Sequence, residues 1–286
     1  MFLADKFKDY TVLDTGDGEK LENVGGVVLQ RPDPQVIWAK SDSKLWKPHA
    51  VYERSDTGGG KWRFNRQVPQ RWSINYGKLR FYVRPTGFKH IGIFPEQSAN
   101  WDYIADKIKG SGRKIRVLNL FAYTGGATLA ALSAGASVVH VDAAKSMNEW
   151  AKENAQLSGF GGADVRYIAD DCHKFVLREQ RRGNTYDAII MDPPSYGRGG
   201  GNVWKIEDNL YPLIADCTKL LSDKPLFFIV NSYTTGLSDI VSRNMLEMCV
   251  ADKFGGRVES GTLCLPQQNS KIVLPCGTTA RWEAQA

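Results

Sequence analysis

Asp142, Asp170–Asp171 and Asp192 each follow a short apolar run, at residues 138–141, 165–168 and 186–191. Carboxylates placed there are acceptors offered along one edge of a sheet, suited to the hydroxyl or amino donors of a bound ligand. A glycine-bearing turn, Phe121-Ala122-Tyr123-Thr124-Gly125-Gly126, follows another run that holds Ile115, Val117, Leu118 and Leu120. It precedes an alanine- and leucine-rich segment that stops at Gly135. Strand, glycine turn and helix together bring backbone N–H groups and a helix N-terminus up to a nucleotide-like ligand. The glycine pair alone is weak, because any parallel sheet needs tight turns and the spacing misses the dinucleotide fingerprint. Asp142 strengthens the reading. It lies 17 residues after Gly125 at the end of the next strand, where a carboxylate can accept from both ribose hydroxyls.

Asp192-Pro193-Pro194-Ser195-Tyr196 carries the second candidate chemistry. Two prolines hold the backbone extended and remove N–H donors, which leaves the Asp192 and Pro193 carbonyls to accept from a substrate. A stiff turn after a strand explains Asp-Pro-Pro in this place poorly. The following Gly197–Asn202, GRGGGN, reads as a flexible loop suited to closing over substrate. Five cysteines and four histidines show no C-x-x-C pairing and no zinc spacing, so no metal is expected.

The elements that must position these groups alternate. Strands are expected at 115–120, 138–141, 165–168, 186–191 and 226–230, with helices at 143–158, 174–182, 207–221 and 237–250. Gly159 is a helix stop. A hairpin around Gln267–Ser270 closes the chain. Upstream, Trp101, Ile104, Ala105 and Ile108 form a helical apolar stripe, with Ser98 as its N-cap.

In order, NLFAYTGG, HVDAAKSMNEWAKEN and MDPPSYG resemble motifs I, II and IV of class I S-adenosylmethionine-dependent methyltransferases. The similarity is greatest to the group that modifies large-subunit ribosomal RNA, and it runs from about Gly92 to Trp282. It implies a seven-stranded Rossmann-like α/β sheet with a small N-terminal β-rich domain, and S-adenosyl-L-methionine as cofactor. The usual glycine-rich motif I is here Asn119-x-Phe121-x-Tyr123-x-Gly125, a variant common in the RNA-modifying group. The resemblance assigns Phe121, Tyr123, Thr124, Gly125, Gly126, Asp142, Ala143, Asp170, Asp171 and Asp192 to the cofactor, and Asp192, Pro193, Pro194 and Tyr196 to catalysis. One of Asp170 and Asp171 would meet the adenine amine while the other caps the next helix; Asp171 is favoured for the contact. It also makes Phe94–Gln97 a loop passing over the cofactor, with an interdomain linker as the alternative. In amino-group methyltransferases a related D-P-P-Y motif grips a base amine. Here Ser195 occupies the aromatic position and Tyr196 follows, so the acceptor atom stays open.

Charge is unevenly spread. The chain carries a net +6, and residues 1–90 hold 16 Lys and Arg against 10 Asp and Glu, so the whole excess lies there. Tyr10–Trp38 reads as short strands joined at Asp17-Gly18 and Gly25-Gly26 and ended by Pro32 and Pro34. Residues 61–90 hold eight basic side chains, among them Lys61, Arg63, Arg66, Arg71, Arg80 and Arg84, and no acidic one. Seven aromatics interleave with them. Positive charge tracks phosphates and aromatic faces stack unpaired bases, so the mixture suits looped or single-stranded RNA. The competing reading is an ordinary strand pair with a solvated basic face.

The division expected is 1–90, a basic RNA-binding domain, and 91–286, the methyltransferase domain. With no ~20-residue apolar run and no leader pattern at the start, a cytoplasmic enzyme is expected. Its partner would be ribosomal RNA, and no cysteine adduct would form: the turn after the fifth strand carries Tyr233 where such enzymes carry their cysteine. A protein or small-molecule acceptor, and a non-catalytic RNA-binding module, are the alternatives.

Overall fold

A computed structural model describes residues 1–55, 59–199 and 202–285. The chain divides into two compact units. One comprises residues 1–2, 99–263 and 277–286; the other comprises residues 3–98 and 264–276.

The first unit is built on a sheet whose strands we number β1 (Arg116–Leu120), β2 (Ser137–Asp142), β3 (Val165–Ala169), β4 (Ala188–Met191), β5 (Phe227–Ser232), β6 (Arg257–Pro266) and β7 (Val273–Glu283). Its order is Phe2–Leu3, β6, β7, β5, β4, β1, β2, β3, so a two-residue strand adds an eighth member to the seven expected. β3 to β2, β2 to β1, β1 to β4 and β4 to β5 pair in parallel, and β7 lies antiparallel to β5. Central strands read as apolar runs because helices cover both faces, and every residue of β4 and β5 is buried.

The helices are α1 (Ser98–Gly110), α2 (Gly126–Ser133), α3 (Lys145–Leu157), α4 (Cys172–Arg181), α5 (Ile206–Thr218) and α6 (Asp239–Leu246). Leu118, Val141, Phe175, Ile189, Leu213, Phe228 and Trp282 are fully or nearly fully buried in one core cluster. The strand order reverses between β1 and β4. Brought side by side in register, with Met191 opposite Leu120, these two strands open a crevice beyond their carboxyl ends, the place where open α/β sheets bind ligands.

Ser98 does not cap α1 through its side chain. A 3-10 turn, Pro95–Gln97, leads into the helix, and Ser98 Oγ has no hydrogen-bond partner among the described residues. Trp101, Ile104 and Ile108 are buried as their spacing predicts.

In the second unit a five-stranded sheet runs Tyr10–Gly16, Glu19–Val24, Val27–Pro32, Ala50–Arg54 and Gly60–Phe64, all antiparallel except the third and fourth strands. Asp17 and Gly18, then Gly25 and Gly26, all take positive φ. Two such residues between paired strands make the tight hairpin turn that matches strand twist. A separate hairpin pairs Trp72–Tyr76 with Leu79–Val83. Ile74, Tyr76, Leu79, Phe81 and Val83 are buried while Arg71, Lys78, Arg80 and Arg84 are exposed. The apolar residues of this hairpin pack and its basic residues face solvent, as an ordinary strand pair with a solvated basic face requires.

Candidate active site

The turn after β1 takes left-handed backbone at alternate residues, with φ of 54° at Phe121, 50° at Tyr123 and 91° at Gly125. Two of the three are aromatic, and side chains avoid this region at roughly 1–2 kcal/mol per residue. The backbone shape that glycines normally supply is thus kept without them. Phe121 packs its ring against Trp204, with centroids 5.3 Å apart.

Asp142 pins this turn. Its Oδ2 accepts from Tyr123 N–H at 2.9 Å and its Oδ1 from Ala144 N–H at 2.9 Å. Burial raises the carboxyl above the usual range, and the two backbone donors oppose that. Each ionised oxygen has further lone-pair capacity for a second donor such as a ribose hydroxyl. Asn148, buried on α3, donates to the Asp142 and Ala144 carbonyls at 3.0 and 3.1 Å and fixes the turn behind the carboxylate. Asn154 does the same for the first turn, donating to Thr124 O at 2.9 Å.

Gly125 caps α2, and Gly126 opens it. A Cβ on Gly126 would lie 2.6 Å from Trp101 Cζ2, so this glycine is required by packing. Asn119, the first residue of the motif, turns away from the crevice. It donates to Thr128 Oγ1 at 3.0 Å, which in turn lies 2.9 Å from His140 Nδ1. Burial pushes that imidazole down to about 3, so it stays neutral inside the core.

The adjacent aspartates separate as follows. Asp171 is the N-cap of α4, its Oδ1 accepting from Lys174 N–H at 2.9 Å; Oδ2 takes no hydrogen bond from the described residues. Asp170 pairs with Arg178 and accepts Asp171 N–H at 2.8 Å. The cap is therefore supplied by the residue favoured for cofactor contact.

Beyond β4, Asp192 is half-buried and Pro193 buried, while Pro194, Ser195 and Tyr196 are exposed. The segment expected to be a flexible glycine loop is instead paired on both sides: Tyr196–Gly199 lies antiparallel to Asn202–Lys205. Val203 and Trp204 favour the extended backbone of the second strand. Gly200 and Gly201 fall outside the described residues. Trp204 folds back so that its Nε1–H donates to Pro194 O at 2.6 Å. Ser195 Oγ lies 2.7 Å from Thr234 Oγ1, which joins this turn to the one after β5. The sequence carries no signal that assigns a role to Trp204 or Asn148. A tryptophan ten residues beyond Pro194 carries no motif of its own.

The expected RNA-binding residues lie in the second unit, and all six are exposed. Arg63 is not without a counter-charge, since Glu53 on the neighbouring strand pairs with it at 2.5 Å. Arg71 stacks its guanidinium 3.5 Å from the Tyr82 ring centroid.

Cys172 sits under the β1 turn, its Sγ accepting from Phe121 N–H at 3.3 Å. Burial raises all five thiols. Among the described residues, no three His, Cys, Asp or Glu side chains cluster to hold a metal, and no helix is long and apolar enough to cross a membrane.

A family model described as S-adenosylmethionine-dependent methyltransferase matches residues 18–224, which spans both candidate motifs. The chain belongs to that family. Among solved structures, the S-adenosylmethionine-dependent methyltransferase from Agrobacterium tumefaciens is 36% identical, with a TM-score of 0.93 over 99% of this chain and 93% of that one. Ribosomal RNA large subunit methyltransferase K/L of Shewanella frigidimarina is 30% identical over 67% of this methyltransferase and 25% of its own length. The protein of that name from Shewanella oneidensis is 33% identical over 72% and 28%. The methyltransferase described here thus spans about a quarter of the length of these curated relatives.

The residues present fit the cofactor the family requires. Beside the left-handed turn, the half-buried carboxylate at the end of β2 accepts one backbone N–H on each oxygen and retains further acceptor capacity.

Proposed function

We propose that this methyltransferase acts on RNA, with large-subunit ribosomal RNA as the substrate. The observation that carries the reading is the set of exposed basic side chains in the second unit: Lys61, Arg66, Arg71, Arg80 and Arg84 are exposed, while Ile74, Tyr76, Leu79, Phe81 and Val83 pack inward. A surface of that sign attracts phosphates irrespective of sequence. The names of the Shewanella relatives point the same way.

S-adenosylmethionine, when bound, supplies an electrophilic methyl group on a cationic sulfur. This chain's residues bind, orient and exclude water. In our reading the Phe121–Gly126 turn and the Asp142 carboxylate hold the sugar end, the latter by accepting from ribose hydroxyls, and Ala143 lines the turn. Asp171 takes the adenine amine with the oxygen that capping leaves over, and Asp170 supports it. Asp192 and the Pro193 carbonyl hold the acceptor so that a nitrogen or oxygen lone pair faces the methyl group. Pro194 keeps that backbone extended, and Tyr196 offers an exposed ring beside it.

The test is methyl transfer to large-subunit ribosomal RNA from cells lacking the enzyme, followed by nucleoside mass spectrometry. A new methylated nucleoside supports the reading. Transfer to proteins or small molecules with none to RNA overturns it.

A further inference from the structure

The structure sorts the seven aromatics interleaved with the basic residues of 61–90. Tyr76 and Phe81 are buried, and Trp62, Trp72 and Tyr82 are half-buried. Phe64 and Phe88 keep 55% and 68% of their surface exposed. A single exposed phenylalanine needs no explanation, but these two share a neighbour. Phe64 lies two residues from Trp62 on the strand Gly60–Phe64, so the two rings emerge on one face. Phe88 sits in the turn Thr86–His90, closed by Thr86 Oγ1 to the His90 carbonyl at 2.7 Å, and Trp62 Nε1 donates to Thr86 O at 2.9 Å. Trp62 is itself braced edge-on by Tyr52, with ring centroids 5.4 Å apart. The strand is an edge of its sheet, with nothing paired on its outer side among the described residues.

Resting on the RNA reading above, we infer that Phe64 and Phe88 form a stacking platform for two unpaired bases of single-stranded or looped RNA. A base presents a π-face that an exposed phenyl ring can cover whatever its identity. Lys61 and Arg66, exposed on either side of Phe64 in the sequence, place positive charge for the backbone that connects those bases. Duplex RNA offers no free base face and would not use the platform.

The experiment is fluorescence anisotropy with a labelled single-stranded RNA of about 12 nucleotides and with a duplex of the same length. Wild type is compared with Phe64→Leu/Phe88→Leu and Phe64→Trp/Phe88→Trp, each checked for an unchanged melting temperature. The leucine pair is expected to lose at least tenfold in affinity for the single strand, with an unchanged salt slope because no phosphate contact is removed. The tryptophan pair retains affinity, and duplex binding is the same in all three. Leucine variants that bind the single strand as wild type does, or that lose duplex binding equally, overturn the platform while leaving the RNA reading standing. Failure of wild type to bind either RNA overturns both.

Discussion

Tyr123 N–H donates to Asp142 Oδ2 at 2.9 Å, so the carboxylate expected to read a ribose also holds the turn beside it. Replacing Asp142 by Ala removes both roles. The expected loss is about 1.5–3 kcal/mol, roughly ten- to hundredfold in affinity for S-adenosylhomocysteine, with the fold retained. Isothermal titration measures it, and unchanged affinity removes Asp142 from the site. Because burial raises its pKa, the ionised acceptor is lost on acidification at a higher pH than for an ordinary carboxylate. Cofactor affinity therefore falls as pH drops toward that raised value and reaches a plateau above it. In Asp142→Asn that limb disappears. A wild-type affinity still flat down to pH ~4, the ordinary carboxylate range, would contradict the assignment.

Gly126 and Trp101 make a packing pair. A Cβ 2.6 Å from a buried indole has nowhere to go without moving α2 or the ring. Gly126→Ala is expected to destabilise the protein by about 1–3 kcal/mol in denaturant unfolding. Adding Trp101→Leu, which makes room, should recover part of that loss, so the two substitutions are non-additive. Strict additivity would show that the ring does not set the limit.

Much of this arrangement is written locally in the chain. Asp17-Gly18 and Gly25-Gly26 announce their turns because few other residues accept positive φ twice in succession. The β1 turn and Asp142 are legible from strand, glycine and carboxylate spacing. What escaped is long-range. Glu53 pairs with Arg63 across neighbouring strands, ten residues upstream of it and outside the acid-free stretch 61–90. Residues 264–276 group with residues 3–98, and Gln267 Nε2 donates to the buried Asp14 carboxylate at 3.0 Å from 253 positions away. Trp204 reads as a strand residue in a glycine-rich loop until its hairpin brings it to Pro194.

Trp204 acts on two motifs at once, by packing on Phe121 and by donating to Pro194 O. Trp204→Phe keeps an aromatic ring and removes the N–H. It is expected to leave S-adenosylhomocysteine affinity within about twofold and to lower methyl transfer, since a hydrogen bond of this kind contributes about 0.5–1.5 kcal/mol. Trp204→Ala should lower both. Full methyl transfer by Trp204→Phe would show that the Pro194 carbonyl needs no holding.

Methyl transfer by this enzyme is expected to proceed without a covalent cysteine intermediate. Carbon 5 of a pyrimidine becomes nucleophilic only after a thiolate adds at carbon 6, so that route needs an ionised cysteine beside the base. Every thiol here is pushed toward its protonated form by burial. Cys172 is 3% exposed and occupied by Phe121 N–H, and Cys217 is fully buried within α5. The turn after β5 instead carries Tyr233 and Thr234, the latter tied to Ser195. Single Cys→Ala or Cys→Ser variants at 172, 217, 249, 264 and 276 are each expected to keep methyl transfer, apart from losses explained by lower stability. Transfer is assayed on the RNA substrate alongside cofactor titration and unfolding. A variant that stays folded and binds cofactor yet transfers no methyl group, or a covalent complex with 5-fluorocytosine RNA, would establish the adduct route and overturn the nitrogen- or oxygen-acceptor reading.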